Sequence, residues 1–184
     1  MKIYITRHGE TTWNVEDRVC GRPDVPLTEK GRRQAMELAE RVKGKGITRM
    51  LVSPLSRARE TARLANTYIQ VPMETEPRLI EHSFGRLEGV PRTSPEFWKA
   101  KRNMTTRYPG GESVLEVAHR IYSLLDEIPQ KYPGETVLLV CHGAVSRVVH
   151  TYFEDIDEEA FHHYSLENCQ LKAYELPDDG KKTE

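Results

Sequence analysis

One segment, Thr136 to Cys141 (TVLLVC), constrains the fold of this chain most. After its leading threonine it is continuously apolar, the pattern of a strand covered on both faces, as in a parallel sheet with helices packed above and below. Helix patterns stand on either side of it. Before it, Ser113-x-x-Glu116 is a capping box that opens an apolar stripe of Val114, Val117, Ile121, Leu124, Leu125 and Ile128 at helical spacing. After it, helix signals run from Ala144 to Tyr152.

The same alternation holds along the rest of the chain. Lys2 to Thr6 is a β-branched and aromatic run that reads as a strand. Thr28 is placed to cap a helix whose core face carries Ala35, Leu38, Ala39 and Val42, and Gly44 and Gly46 stop it. Met50 to Val52 reads as a buried strand ended by Ser53-Pro54, and Ser56 to Tyr68 as a helix with Ala58, Thr61, Ala62 and Ala65 towards the core. Pro77 to Glu81 is predicted as a short extended segment and Gln170 to Leu176 as a late strand. The irregular stretch from Val90 to Gly111 carries Pro91, Pro95 and Pro109, and reads as a loop with one short helix around Glu96 to Arg102. Alternating strands and helices predict an α/β fold with a mainly parallel central sheet, with room for an antiparallel edge strand. At about 150 residues per domain, the 184 residues make one domain over 1–176, followed by a polar tail over 177–184.

The sequence then narrows the possible functions. Lys plus Arg (27) and Asp plus Glu (28) balance to a net charge of -1, which argues against a nucleic-acid partner. Any anion site must therefore be built locally. Cys20, Cys141 and Cys169 form no CxxC motif and suggest neither a disulfide framework nor a zinc ribbon. No apolar run approaches the ~18 residues of a membrane span, and the first residues, MKIYITRHGE, carry no signal-peptide core. A cytoplasmic protein without a membrane partner is the expectation. Oligomeric state is not legible.

Two predicted strands end alike, one in Arg7-His8-Gly9 and the other in Cys141-His142-Gly143. Ligands of open α/β sheets bind at the carboxyl ends of the strands, so both imidazoles are expected at one edge. A glycine after each histidine is expected to free the backbone for a sharp turn and close ligand approach. The strand at Met50 to Val52 leads into Arg57-Ala58-Arg59 at a helix start on the same edge, where a helix N-terminus and a guanidinium both favour a phosphate. A neutral imidazole is a competent nucleophile towards phosphorus, and arginines stabilise the transferring phosphoryl group. Glu81 and Glu88, in EHSFGRLEG, are the candidate proton donors for an alcohol leaving group.

TRHGETTWN (Thr6 to Asn14), GRPDVPLT (Gly21 to Thr28), SPLSRARETA (Ser53 to Ala62), EHSFGRLEG (Glu81 to Gly89), PGGES (Pro109 to Ser113) and VCHGAVSRVV (Val140 to Val149) together resemble the histidine phosphatase superfamily. That superfamily includes the cofactor-dependent phosphoglycerate mutases and related phosphatases. The resemblance runs from about Lys2 to Leu176, in the family's order. It implies a phosphoglycerate mutase-like three-layer α/β/α fold and a phosphomonoester hydrolase acting on a small phosphorylated metabolite. By the same resemblance His8 is the phosphorylated nucleophile, and Arg7, Arg57 and His142 form the phosphate pocket. Glu81 is the general acid and base, and Asn14, Cys20, Gly21 and Gly143 are further ligand contacts. Glu88 belongs to the motif as a structural residue. No metal or cofactor is implied, except a bisphosphoglycerate primer if the reaction is that of a mutase.

Within the resemblance, a phosphatase is favoured over a mutase. Only 27 residues run from Glu81 to Arg107 inclusive, where phosphoglycerate mutases carry a longer insertion with paired arginines. Ala144 follows the second His-Gly where mutases have Asn, EHSFG stands for ERHYG, and ENCQLKAYEL resembles the last strand of the phosphatase branch. Cys20-Gly21 and Arg92 resemble the mutases instead, and Lys99, Lys101, Arg102 and Arg107 are available as an anion rim.

Other residues invite plainer readings. His82, His119, His150, His162 and His163 are expected to be surface or packing residues, with His162 and His163 pointing to opposite sides of a strand. Arg59 and Arg63 read as solvated, Cys141 as core filling and Trp13 as packing. Trp98 is placed to line the mouth of a site.

Overall fold

A computed structural model describes residues 1–177. The predicted tail, from 178 on, lies outside the described residues.

The central sheet is formed by β1 (Lys2–Arg7), β2 (Arg49–Val52), β3 (Met73–Thr75), β4 (Val137–Cys141) and β5 (Leu171–Glu175) in the order β3-β2-β4-β1-β5. All neighbours run parallel except β5, which lies antiparallel on β1 at one edge. In β4 every residue is buried, because it sits in the middle of the sheet with helices on both faces. Its side chains alternate as a pleated strand requires. Leu138 and Val140 join Tyr4, Met50 and Val52 on one face, and Val137, Leu139 and Cys141 join Ile3, Ile5 and Leu51 on the other.

The first face is covered by α2 (Glu29–Val42) and α3 (Ser56–Ala65), through Ala35, Leu38, Val42, Ala58, Ala62 and Ala65. The second is covered by α5 (Val114–Lys131) and α6 (Gly143–Phe153), with the whole predicted stripe from Val114 to Ile128 buried there. This is the three-layer α/β/α fold. The Ser113 capping box is present in full, and Thr28 caps α2 by accepting a hydrogen bond from the Gly31 amide.

A third cluster, Val19, Phe84, Leu87, Phe97, Tyr108 and Ala144, lies beside the carboxyl ends of the strands. It holds the connecting segments there, including the short α4 (Pro95–Lys101), against the sheet edge, and α1 (Thr12–Val15) lies just before its Val19.

Three local readings change. The third helix ends at Ala65 rather than Tyr68, because the Asn66 side chain clamps the following turn: it donates to the Val71 carbonyl and accepts from the Val71 amide, both at 2.9 Å. Pro77 to Leu79 is a 3₁₀ turn rather than an extended segment, with Pro77 in the first turn and Glu76 capping the Arg78 amide. The edge strand β3 was not predicted. It is three residues long and half exposed, so it carries no apolar alternation.

Candidate active site

Each element delivers its functional side chain at the carboxyl edge of the sheet. The ladder between β1 and β4 runs one residue past the strands, where the His8 amide donates to the Cys141 carbonyl at 3.0 Å. The next residue on β4 is His142, which is also the N-cap of α6. The two rings therefore meet, 5.1 Å apart between centroids and tilted by 58°.

His8 is oriented by its own backbone. Its Nδ1 lies 2.7 Å from the Gly9 carbonyl, which only accepts, so Nδ1 carries the proton and Nε2 keeps its lone pair. Asn168 fixes the turn by donating to the His8 carbonyl at 2.8 Å. His142 is held by Ser53, whose Oγ lies 2.6 Å from Nε2, while its Nδ1 is buried without a partner among the described residues. Both imidazoles are pushed well below the ordinary histidine value, first by burial and then by the nearby Arg57 and Arg7 charges. They are neutral at pH 7.

Arg57 is completely buried. Its guanidinium donates to the carbonyls of Pro23 (2.8 Å) and Gly21 (2.5 Å), and its Nε has no partner among the described residues. Arg7 donates to the Leu166 carbonyl at 3.0 Å and also has a buried, unpartnered Nε. Burial, with Arg92 nearby, lowers its pKa to about 10. Two guanidiniums beside two neutral imidazoles, each with an Nε that has no protein partner among the described residues, suit an anionic ligand.

Glu81 sits at the start of α6. Its carboxylate accepts from the amides of His82 (2.9 Å), Val145 (3.2 Å) and Ala144 (3.1 Å), which uses helix-end donors to hold the carboxyl at the cavity wall. Glu88 is half-buried and turns away. It accepts from the amides of Gly21 (2.7 Å), Phe84 (3.0 Å) and Arg22 (3.2 Å), so it fixes the loop whose carbonyls hold Arg57.

A cavity of about 370 Å³ opens over this edge. Arg7, His8, Asn14, Cys20, Glu81 and Gly143 line it, while His142 and Arg57 are wholly buried and do not. Gly21 does not line it either. Its carbonyl anchors Arg57, and a Cβ there would come within 2.3 Å of the His82 carbonyl. Cys20 keeps its proton, because burial raises its thiol.

Two further expectations are corrected. Gly9 is required by close packing on α2 rather than by a ligand, since a Cβ there would stand 2.4 Å from the Gly31 carbonyl oxygen. The start of α3 is not a free anion site, because Asp24 accepts from both the Ser56 amide and hydroxyl. Arg59 and Arg63 face a separate cleft beside β3.

Trp98, Arg92 and Lys101 line the cavity mouth; Lys99 and Arg102 do not, and Arg107 is paired with Glu116 outside it. Sequence reasoning missed Ser53, Arg147, His162 and His163. Ser53 and Arg147 lie inside motifs already quoted and were not singled out. His162 and His163 sit on a helix, α7 (Glu158–His163), rather than a strand, and both line the cavity.

Two histidines, a buried and a half-buried arginine, and a carboxyl gathered at one cavity on the sheet edge define a site of the phosphoryl-transfer class. The family model of the histidine phosphatase superfamily (branch 1) matches residues 3–184, and the chain belongs to that superfamily. A probable phosphoglycerate mutase GpmB of Yersinia pestis (strain Pestoides F) is 36% identical over 178 residues, covering 93% of this chain and 83% of that protein. The structure of YhfR from Bacillus stearothermophilus superposes with a TM-score of 0.84 at 32% identity, covering 96% of this chain and 91% of that one. A mycobacterial glucosyl-3-phosphoglycerate phosphatase complexed with VO3 superposes with a TM-score of 0.83 at 26% identity, over 94% of this chain and 90% of that one. The chain is thus an enzyme of a superfamily whose members are phosphatases or mutases.

Proposed function

We propose that this protein is a phosphomonoester hydrolase that works through a covalent phosphohistidine on His8. The observation that carries the reading is the hydrogen bond from His8 Nδ1 to the Gly9 carbonyl, which leaves Nε2 as the only free lone pair of a neutral, buried ring. In the first step Nε2 attacks phosphorus, the bond to the ester oxygen breaks, and Glu81 gives its proton to that oxygen. In the second step Glu81 takes a proton from water as the oxygen attacks phosphorus, the P–N bond breaks, and inorganic phosphate leaves. His8 and Glu81 both return to their starting states.

Arg7 Nε on the cavity wall, with Arg57 Nε and His142 Nδ1 behind it, are the donors assigned to the equatorial oxygens, since none of the three has a protein partner among the described residues. For His142 to donate from Nδ1, its Nε2 must accept from the Ser53 hydroxyl. These fixed charges and donors supply the stabilisation, with no metal or cofactor assigned to the reaction. The substrate is a small phosphorylated metabolite.

The short segment between Glu81 and Arg107 and Ala144 after the second His-Gly support hydrolysis. The resemblance to a probable phosphoglycerate mutase favours a second reading, transfer of the phosphoryl group to another hydroxyl of the substrate. Rapid quenching without acid and intact-mass measurement tests the shared step: a gain of about 80 Da that is lost in His8→Asn is expected for a trapped phosphoryl nucleophile. Its absence with a turned-over substrate overturns the covalent reading. Scoring inorganic phosphate against isomerised product, with and without a bisphosphoglycerate primer, separates hydrolysis from transfer.

A further inference from the structure

The first turns of α6 are apolar and buried at Ala144, Val145, Val148 and Val149, yet position 146 is a serine that is only 1% exposed. A buried hydroxyl in a helix commonly satisfies itself on a carbonyl of the preceding turn. Ser146 does so, donating Oγ to the Gly143 carbonyl at 2.8 Å. It also reaches outside its own helix. Its oxygen accepts from the Leu166 amide at 3.3 Å, 20 positions further along the chain. That hydroxyl is the one partner the Leu166 amide has among the described residues.

Leu166 in turn holds Arg7. Its carbonyl accepts from Nη1 at 3.0 Å, with the Ser165 hydroxyl 3.5 Å from the same nitrogen. A guanidinium is a planar, rigid fork, so gripping one nitrogen sets where the others point. That grip aims Nε, which is buried and has no protein partner among the described residues. The segment from Tyr164 to Cys169, between α7 and β5, is tied at both ends. The Tyr164 carbonyl accepts from Arg147 Nε at 2.9 Å, while Asn168 donates to the His8 carbonyl at 2.8 Å and the Cys169 amide to the Arg7 carbonyl at 2.9 Å. Between these ties, where the segment touches the Arg7 side chain, Ser146 clasps the main chain and the Leu166 side chain is packed in the core. Ser146 stands one turn from His142, whose carbonyl accepts from its amide at 2.8 Å. One residue thus links His142, at the end of β4, to Arg7, at the end of β1.

We infer that Ser146 is a positioning residue for phosphoryl transfer: its hydroxyl fixes the Leu166 main chain, and through it the direction of the Arg7 guanidinium relative to His142. The inference rests on the phosphomonoester reading and adds to it a residue that does not line the cavity and acts through another side chain. Alanine suits the helix at this position as well as serine does. What it removes is the acceptor of the Leu166 amide, and with it the hold on the carbonyl that grips Arg7.

Ser146→Ala is expected to weaken vanadate binding, and to lower kcat/KM for a phosphomonoester, by about tenfold each, the equivalent of one hydrogen bond. A residue that served packing alone would shift the urea midpoint and leave vanadate affinity as it is. The direct readout is the Arg7 Nε–H signal in arginine-selective NMR spectra of the vanadate-free protein. It is expected to move in Ser146→Ala. The Arg57 signal is expected to stay in place, because that guanidinium is held by the Pro23 and Gly21 carbonyls and shares no partner with Arg7. Ser146→Cys keeps the size and weakens both hydrogen bonds. It is expected to fall between wild type and Ser146→Ala, and it carries the test if Ser146→Ala fails to fold. Vanadate affinity within about twofold of wild type, or an unmoved Arg7 signal, overturns the role of Ser146 alone. Failure of the wild-type enzyme to hydrolyse any of a panel of phosphomonoesters overturns the phosphomonoester reading, and the Arg7 signal still decides whether Ser146 sets that side chain.

Discussion

The rings of His8 and His142, 134 positions apart in the chain, face each other at 5.1 Å because β1 and β4 are parallel neighbours in register. Parallel pairing aligns Arg7 with Cys141, so the residues that follow leave the sheet side by side. Two consequences for pH follow from the burial of these rings.

Both histidines titrate well below 6.5 in the folded protein. The neutral nucleophile therefore persists below pH 6.5, and kcat/KM on the acid side is expected to hold until more acidic values. For stability the sign is the reverse of an ion-paired histidine. As pH falls through about 6.5 the unfolded chain takes up protons that the native state refuses, so the unfolding free energy drops by up to about 2.7 kcal/mol per pH unit for two such rings. Carboxylates held low, such as Glu116 at about 2, lose their contribution only in a lower window. Urea titrations at pH 7.5, 6.5 and 5.5 check this. A flat stability over that range would mean that the buried rings are charged in the native state.

Ser53→Ala removes the one hydrogen-bond partner that the His142 ring has among the described residues. The protein is expected to stay folded, with kcat/KM lower by about tenfold, the loss of one hydrogen bond to a group that must hold one tautomer. The acid limb of the pH profile is expected to shift as well. Wild-type kinetics in this variant would remove Ser53 from the positioning of His142.

Glu88→Gln places an amide NH₂ among the backbone donors of Gly21, Arg22 and Phe84. It acts on Arg57 through the Gly21 carbonyl. Vanadate affinity is expected to weaken about tenfold, with a loss of about 1–3 kcal/mol in stability from the unsatisfied amides. Loss of stability with unchanged vanadate binding would show that the loop does not position Arg57.

Glu81→Gln is expected to slow release of alcohols with poor leaving ability by about 10²–10⁴-fold, while nitrophenyl phosphate is affected far less. The ratio of the two rates is the readout. An equal loss for both esters would assign Glu81 to binding rather than to proton transfer.

The sequence by itself determined the layers. The apolar run ending at Cys141 and the stripe from Val114 to Ile128 are local patterns. Each is set by the chain's own repeat of side-chain direction, and each is buried as that repeat requires. It also placed His8, His142, Arg7, Arg57 and Glu81 at strand ends and loops of one edge, because a motif beside a strand end travels with that strand. Tertiary structure alone decided which atoms meet. That Ser53 holds His142, that Gly21 and Glu88 hold Arg57, and that His162 turns into the cavity depend on segments tens of residues apart converging at one edge. No local periodicity records such encounters, since they are fixed by sheet order and by the packing of loops on the Phe84, Phe97 and Tyr108 cluster.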